Sequence, residues 1–175
     1  IQPRYRGASQ IRPEFEQATF EDLRWLGLDW DGPARRQSDH MQTYADALSE
    51  LCRLGVAYPC FCSRKQIRAE VEEAGSAPHG PSGEPIYPGV CLGLPQAEAE
   101  ARMARGEPFA WRLDVAKALS LTGPLTWHDH RAGAVPADPL SLGDVVIARK
   151  DVPTSYHLAV TVDDAGQLTV RRVAG

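Results

Sequence analysis

The 175-residue chain has no apolar run that approaches the ~20 residues of a membrane span, and no signal-peptide pattern opens it. A cytoplasmic protein with no membrane partner is therefore expected. Positive charge is not in excess: 19 Lys and Arg stand against 23 Asp and Glu, a formal net charge of −4. A broad, sequence-independent nucleic-acid binder needs a basic face, so that class is excluded, whereas a local basic patch is not. Cysteine is scarce, with four residues, three of them clustered. That pattern fits a metal site in a reducing compartment better than a disulfide framework. Paired Cys-x-x-Cys knuckles and internal repeats are absent. Ile1 stands where an initiator Met would be, and Val173-Ala174-Gly175 falls inside an expected strand, so both ends are expected to be cut.

What is present is ordinary for a globular protein: 43% apolar and 24% charged residues. The length suits one domain, or one domain with an insertion. Pro13 with Glu14 and Glu16 predicts a helix start, because Pro suits the first helical position and acids suit the positive end of the dipole. That helix should run to about Leu26 and stop at Gly27. Ser38 is expected to cap a second helix carrying Met41, Tyr44, Ala45, Leu48, Leu51 and Cys52 on one face. Cys52 then reads as a core thiol. Val56 to Cys60 reads as a short buried strand, and Ser63 with Gln66 as a capping box that opens a helix. Residues 75–90 form a loop rich in Gly and Pro. A helix from Pro95 to Gly106 and strands at 109–113, 125–131, 144–149 and 168–173 follow, with a helix preferred over a strand at Ser155 to Val160. Helices, a mixed middle and a return to alternation suit an α/β domain interrupted by an insertion.

The informative cluster is Cys60-Phe61-Cys62 with the distant Cys91. Thiolates bind zinc tetrahedrally, so two cysteines ending a strand and a third from a loop make three ligands of four. The fourth is open between His79 and Tyr87. Imidazole needs no deprotonation at neutral pH whereas a phenol has a pKa near 10, and this favours His79 on chemistry alone. The bland alternative is three buried thiols without metal. His128 and His130 would share one face of a strand, but they lack a third ligand at useful spacing and read as surface residues.

Several collinear segments carry a resemblance. They are Arg12-Pro13-Glu14-Phe15, Trp30-Asp31-Gly32-Pro33, Tyr58-Pro59-Cys60-Phe61-Cys62-Ser63-Arg64, Tyr87-Pro88-Gly89 with Cys91, Trp111-Arg112, Gly143-Asp144-Val145-Val146, and Tyr156-His157-Leu158-Ala159-Val160 with Asp163-Asp164. From about residue 8 to about 170 the chain resembles the class I glutamyl-tRNA synthetase-like family, in particular its short glutamyl-Q tRNA(Asp) synthetase branch. The resemblance implies an α/β fold: an incomplete class I aminoacyl-tRNA synthetase Rossmann-type catalytic domain with a zinc-bearing insertion. Residues 1–58 would belong to the first Rossmann half and 59–113 to the zinc-bearing insertion facing tRNA. Residues 114–175 would hold the rest of the insertion and the start of the second half. The family's Cys-x-Cys and Tyr-x-x-x-Cys pattern transfers the metal site to Cys60, Cys62, Tyr87 and Cys91, a structural zinc, and overturns the preference for His79. Tyr156 would bind glutamate. The activity implied is ATP-dependent glutamate activation and transfer of glutamate to queuosine in the anticodon of tRNA(Asp), by a monomer.

Departures from the family fall on the chemistry. Neither a His-Ile-Gly-His-type motif nor a Lys-Met-Ser-Lys-Ser-type loop is present, and both serve ATP. Gln2-Pro3-Arg4-Tyr5 stands where the family has Arg-x-Glu-Asp, and Ala174-Gly175 stands where it has Arg-Gly. Arg171 or Arg172 could replace that arginine only through a register slip, which reverses the side-chain face. No catalytic residue is therefore assigned, and the chain by itself is not expected to be self-sufficient. The alternative is a non-catalytic zinc-containing fragment that binds tRNA or protein through Arg64, Lys65 and Arg68 with Arg35 and Arg36.

Overall fold

The computed structural model describes residues 12–73, 86–150, 152 and 154–167. It divides into two compact units, Ile1–Arg36 and Gln37–Gly175. In the first, α1 (Pro13–Trp25) starts as the sequence predicts, with Pro in its first turn beside Glu14 and Glu16. Its far end is held by aromatic contacts. Phe20 stacks on Trp30 at 5.6 Å, and the Arg24 guanidinium lies 5.4 Å from the Trp30 ring centre. Arg36 forms an ion pair with Glu16, so one member of the expected basic patch is already engaged.

The second unit opens with a 3-10 turn (Gln37–His40) that runs into α2 (Met41–Arg53). Ser38 does not cap α2. Its hydroxyl donates to the adjacent Asp39 carboxylate at 3.2 Å, and the residue at the cap is His40, which makes no side-chain cap bond. The 3-10 turn over Gln37–His40 delays the start of α2 to Met41, which leaves Ser38 short of the cap position. Next come β1 (Ala57–Cys60) and α3 (Arg64–Glu73). The predicted capping box is present in both directions: Gln66 N–H donates to Ser63 Oγ (3.2 Å), and Ser63 N–H donates to Gln66 Oε1 (2.8 Å). Then follow α4 (Gln96–Ala104), β2 (Ala110–Leu113) and α5 (Val115–Thr122). The described elements close with β3 (Thr126–Asp129), β4 (Gly133–Pro136), a second 3-10 turn (Pro139–Leu142), β5 (Val146–Arg149) and α6 (Tyr156–Gln167).

Among the described residues the strands form a three-stranded sheet in the order β1-β2-β5 and a β3-β4 hairpin, both antiparallel. The parallel strand pairing expected of a Rossmann-type domain is thus not found among the described strand pairs. Register across the first pair sets Tyr58 opposite Arg112 and Cys60 opposite Ala110, with Pro59 opposite Trp111. Since side chains alternate, Tyr58, Cys60 and Arg112 share one face of the sheet, and Pro59 and Trp111 the other.

Helix α6 packs on β5 and α2, and α2 on β1. Ile147, Ala148, Leu158 and Ala159 are buried there. Ser155, just before α6, accepts from Leu158 N–H at 3.3 Å, which is why the 155–160 stretch is helical. A polar tie crosses this core: the fully buried Tyr44 hydroxyl donates to both Asp163 carboxylate oxygens at 2.9 Å, and Gln37 Nε2 donates to Asp163 Oδ2 at 3.1 Å. No described helix is long and apolar enough to cross a membrane. The strand expected at 168–173 and the residues Arg4, His79, Arg171, Arg172 and Ala174 lie outside the described residues, as do the side chains of Arg64 and Arg68.

Candidate metal centre

Strand β1 delivers Cys60 at its end, and the chain then runs through Phe61 to Cys62 and the Ser63 cap. The opposite wall is a tight turn. Gly89, at φ 78°, takes a conformation that favours glycine and lets Leu92 N–H donate to its carbonyl at 2.8 Å. The Tyr87 hydroxyl accepts from Cys91 N–H at 2.9 Å, closing that turn on itself. Cys60, Tyr87 and Cys91 are buried in one cluster, with Tyr58, Cys62 and Ile67 packed against it.

The donor atoms converge. Cys60 Sγ lies 3.3 Å and Cys62 Sγ 3.7 Å from Tyr87 Oη, and the Cys62 and Cys91 sulfurs are 3.5 Å apart. All three sulfurs fall within 4.8 Å of one another. A zinc tetrahedron with Zn–S of about 2.3 Å and Zn–O of about 2.0 Å has S···S edges of roughly 3.8 Å and S···O edges of roughly 3.5 Å. The three separations of 3.3, 3.7 and 3.5 Å lie close to those edges. The cysteines are free thiols, so a Cys62–Cys91 disulfide is not what draws the cluster together.

Electrostatics point the same way. Burial raises the Cys62 thiol, pushing it up to about 12, with the neighbouring Cys91 and Cys60 sulfurs adding to the rise. Burial also pushes the Tyr87 phenol well above its usual value, and the Cys60 sulfur adds to it. At Cys60 burial again works upward, but the hydrogen bond to Tyr87 and the Arg112 guanidinium outweigh it and bring that thiol below its usual value. Crowded buried acids of this kind hold their protons until a cation arrives, and a bound divalent ion inverts that logic. The donor set and its spacing fit zinc.

Three residues around the cluster escaped the sequence reading: Arg112, Asp144 and Tyr58. The Arg112 guanidinium lies 3.8 Å from the Tyr87 ring centre, and its Nη1 donates to the Asp144 carbonyl at 2.6 Å. Tyr58 donates to Asp144 Oδ2 at 2.6 Å, and Val115 N–H donates to Oδ1 at 3.0 Å. Burial and that carboxylate drive the Tyr58 phenol far upward, so it stays a donor. Period-two alternation within β1 could have aligned Tyr58 with Cys60, whereas Arg112 joins their face through the β1-β2 register.

The other candidates lie elsewhere. Tyr156 is the first residue of α6, half exposed, its ring edge-on to His157 at 5.8 Å. His157, and not Tyr156, lines the open recess shared by Tyr87, Arg112 and Asp144. His128 and His130 pack edge-on at 5.7 Å on the β3-β4 hairpin, and the metal-capable cluster among the described residues is Cys60, Cys62 and Cys91. Cys52 is partly buried in α2 and its thiol is raised by that burial, in keeping with a packing role.

Comparison with known proteins adds three findings. The family model for class I tRNA synthetases (E and Q), catalytic domain, matches residues 8–169. Proteins named glutamyl-Q tRNA(Asp) synthetase from Rhodobacter capsulatus and Nocardia farcinica are each 39% identical to the chain, over 91% and 94% of it and over 58% and 48% of their own lengths. The chain thus spans about half the length of these curated relatives. The crystal structure of a glutamate-tRNA synthetase from Elizabethkingia anophelis shares the fold with a TM-score of 0.69 at 24% identity, over 92% of this chain and 34% of that one.

Proposed function

Because the chain belongs to the catalytic-domain family of the class I glutamyl- and glutaminyl-tRNA synthetases, we propose that it is the central part of an enzyme that activates glutamate with ATP and transfers the glutamyl group to queuosine in the anticodon of tRNA(Asp). The observation that carries this reading is its similarity, along nearly the whole of its length, to relatives bearing the glutamyl-Q tRNA(Asp) synthetase name.

Within it, Cys60, Cys62, Tyr87 and Cys91 hold a structural zinc in the insertion formed by residues 59–113, which faces tRNA. Residues 1–58 belong to the first Rossmann half, and 114–175 complete the insertion and begin the second. When bound, the zinc supplies a tetrahedral cross-link. The residues themselves do the positioning: the Tyr87 hydroxyl fixes the Cys91 turn, and the Ser63–Gln66 box fixes where Cys62 leaves the strand. Tyr156, exposed at the start of α6, orients the glutamate. The spacing of the four donor atoms supports the metal assignment.

The test is charging by the full-length product of the gene. With ATP and labelled glutamate, label should enter tRNA(Asp) that contains queuosine and not tRNA(Asp) that lacks it. Label on the 3′ end of tRNA(Glu) would instead make the protein a glutamate-tRNA ligase. No label on either would refute the enzyme reading. Metal analysis of this chain should return one zinc per chain, lost in Tyr87→Phe; loss only in His79→Ala would refute the Tyr87 assignment.

A further inference from the structure

Arg112 is a buried cation that no carboxylate pairs among the described residues. Its exposure is 9%, and among the described residues no carboxylate stands within ion-pair distance of it. The nearby Asp144 does not serve, since its carboxylate oxygens are taken by Tyr58 and Val115 and it meets Arg112 through its backbone carbonyl. The Arg112 Nε is moreover buried with no hydrogen-bond partner. A buried charge is tolerated when it is paired, and a buried polar atom left unsatisfied is destabilising. Arg112 therefore has no carboxylate counter-ion among the described residues, and the structure shows where an anion belongs. Register puts it on the sheet face of Cys60, one diagonal step away, with its guanidinium over the Tyr87 ring.

We infer that Arg112 is the counter-ion and positioning residue of the metal centre: the buried guanidinium neutralises the negative metal–thiolate cluster and holds the Tyr87 ring against it. The inference rests on the zinc reading above. Divalent zinc among three thiolates carries net negative charge before Tyr87 contributes any. Without a cation beside it, that charge would sit buried next to Ile67 and Tyr58, which offer no compensation. Groups around a metal's ligands commonly govern affinity as the ligands do, by about 10–100-fold.

The experiment is a zinc competition titration of this chain against a chromophoric chelator, with Arg112→Gln, Arg112→Lys and Cys60→Ser beside the wild type. Arg112→Gln should bind zinc about 10–100-fold more weakly, with the cobalt-substituted protein keeping the thiolate absorption bands of the wild type. Arg112→Lys, which keeps the charge but not the planar stack, should fall between the two. A purely structural arginine would lower the melting temperature equally with and without metal; a counter-ion lowers it more in the zinc-loaded protein. In the wild type, whether or not the variants fold, the Arg112 Nε–H resonance should move and exchange more slowly when zinc is added. Equal zinc affinity in wild type and Arg112→Gln, or an unmoved Nε–H resonance, would overturn the inference while leaving the metal site standing. Wild-type binding no better than that of Cys60→Ser would overturn the zinc reading and this inference with it.

Discussion

Gly143 joins the second 3-10 turn to β5 beside the candidate metal centre, and replacing it with Ala is a sharp test of how the Tyr87 segment is held. Its backbone stands at φ 62° and ψ −167°, a region that is essentially reserved for glycine. A Cβ there would collide with Ile86 Cγ2 and lie 3.7 Å from Ile86 Cβ and 3.9 Å from Tyr87 N. Two penalties therefore add: backbone strain of about 1–3 kcal/mol and overpacking of about 1–3 kcal/mol. A sum near 3 kcal/mol should lower the melting temperature by about 6–12 °C in a chain of this size. The strain belongs to Gly143 alone, whereas the collision is shared with Ile86. Removing the Ile86 side chain in the Gly143→Ala background should therefore be less damaging than removing it from the wild type, with a coupling of about 1 kcal/mol or more in a double-mutant cycle followed by thermal or urea unfolding. If the two substitutions add to within about 0.5 kcal/mol, they do not share a contact and the close approach is wrong.

Two further outcomes are expected. Tyr44→Phe removes a hydroxyl that donates to a buried carboxylate, Asp163, between α2 and α6; hydrogen bonds to charged groups contribute about 1.5–3 kcal/mol, so the urea midpoint should fall accordingly, and a change below about 0.5 kcal/mol would refute the tie. Zinc affinity should fall as pH falls, because the thiols must lose protons to bind and Cys62 holds its proton up to about 12 without metal. The sign follows directly: protons compete with zinc for the same sulfurs, so a binding constant unchanged between about pH 8 and about pH 5 would contradict a thiolate site.

What was legible in the sequence were features whose cause is local. Pro13 with its acids and the Ser63–Gln66 box each act within one turn, and the helices they start are present, as is the helix preferred over a strand after Ser155. Ser38 failed for an equally local reason: the 3-10 turn that begins at Gln37 moves the cap of α2 to His40. Helix α5 and strand β4 were not anticipated. The first is a short helix whose cap, Asp114 accepting from Lys117 N–H at 2.9 Å, follows a strand without a break. The second reads Gly-Ala-Val-Pro, a poor strand former, and exists through its pairing with β3 and the turn in which Asp129 accepts from Arg131 and Ala132 N–H. Thiolate chemistry alone brought Cys60, Cys62 and Cys91 together, and the resemblance added Tyr87. Arg112 could not be added, because its place beside Cys60 depends on cross-strand register, which no single segment encodes.

That register also explains why a Cys-x-Cys spacing serves here. At the end of an extended strand, alternate residues face the same side, so Cys60 and Cys62 turn to the face of Tyr87 and Cys91 while Phe61 between them turns away. Phe61 meets Phe109 at 5.6 Å, one step beyond the Cys60–Ala110 pair, and Phe109 meets Trp111 edge-on at 5.5 Å. The Arg102 guanidinium covers Phe61 from 4.2 Å, itself held by Glu107 at 2.8 Å. The aromatic row on one face thus fixes the backbone whose thiols converge on the other. A Cys-x-Cys spacing is thus one that an antiparallel strand end presents to a single face, and the Tyr87–Cys91 turn closes on it from the opposite wall.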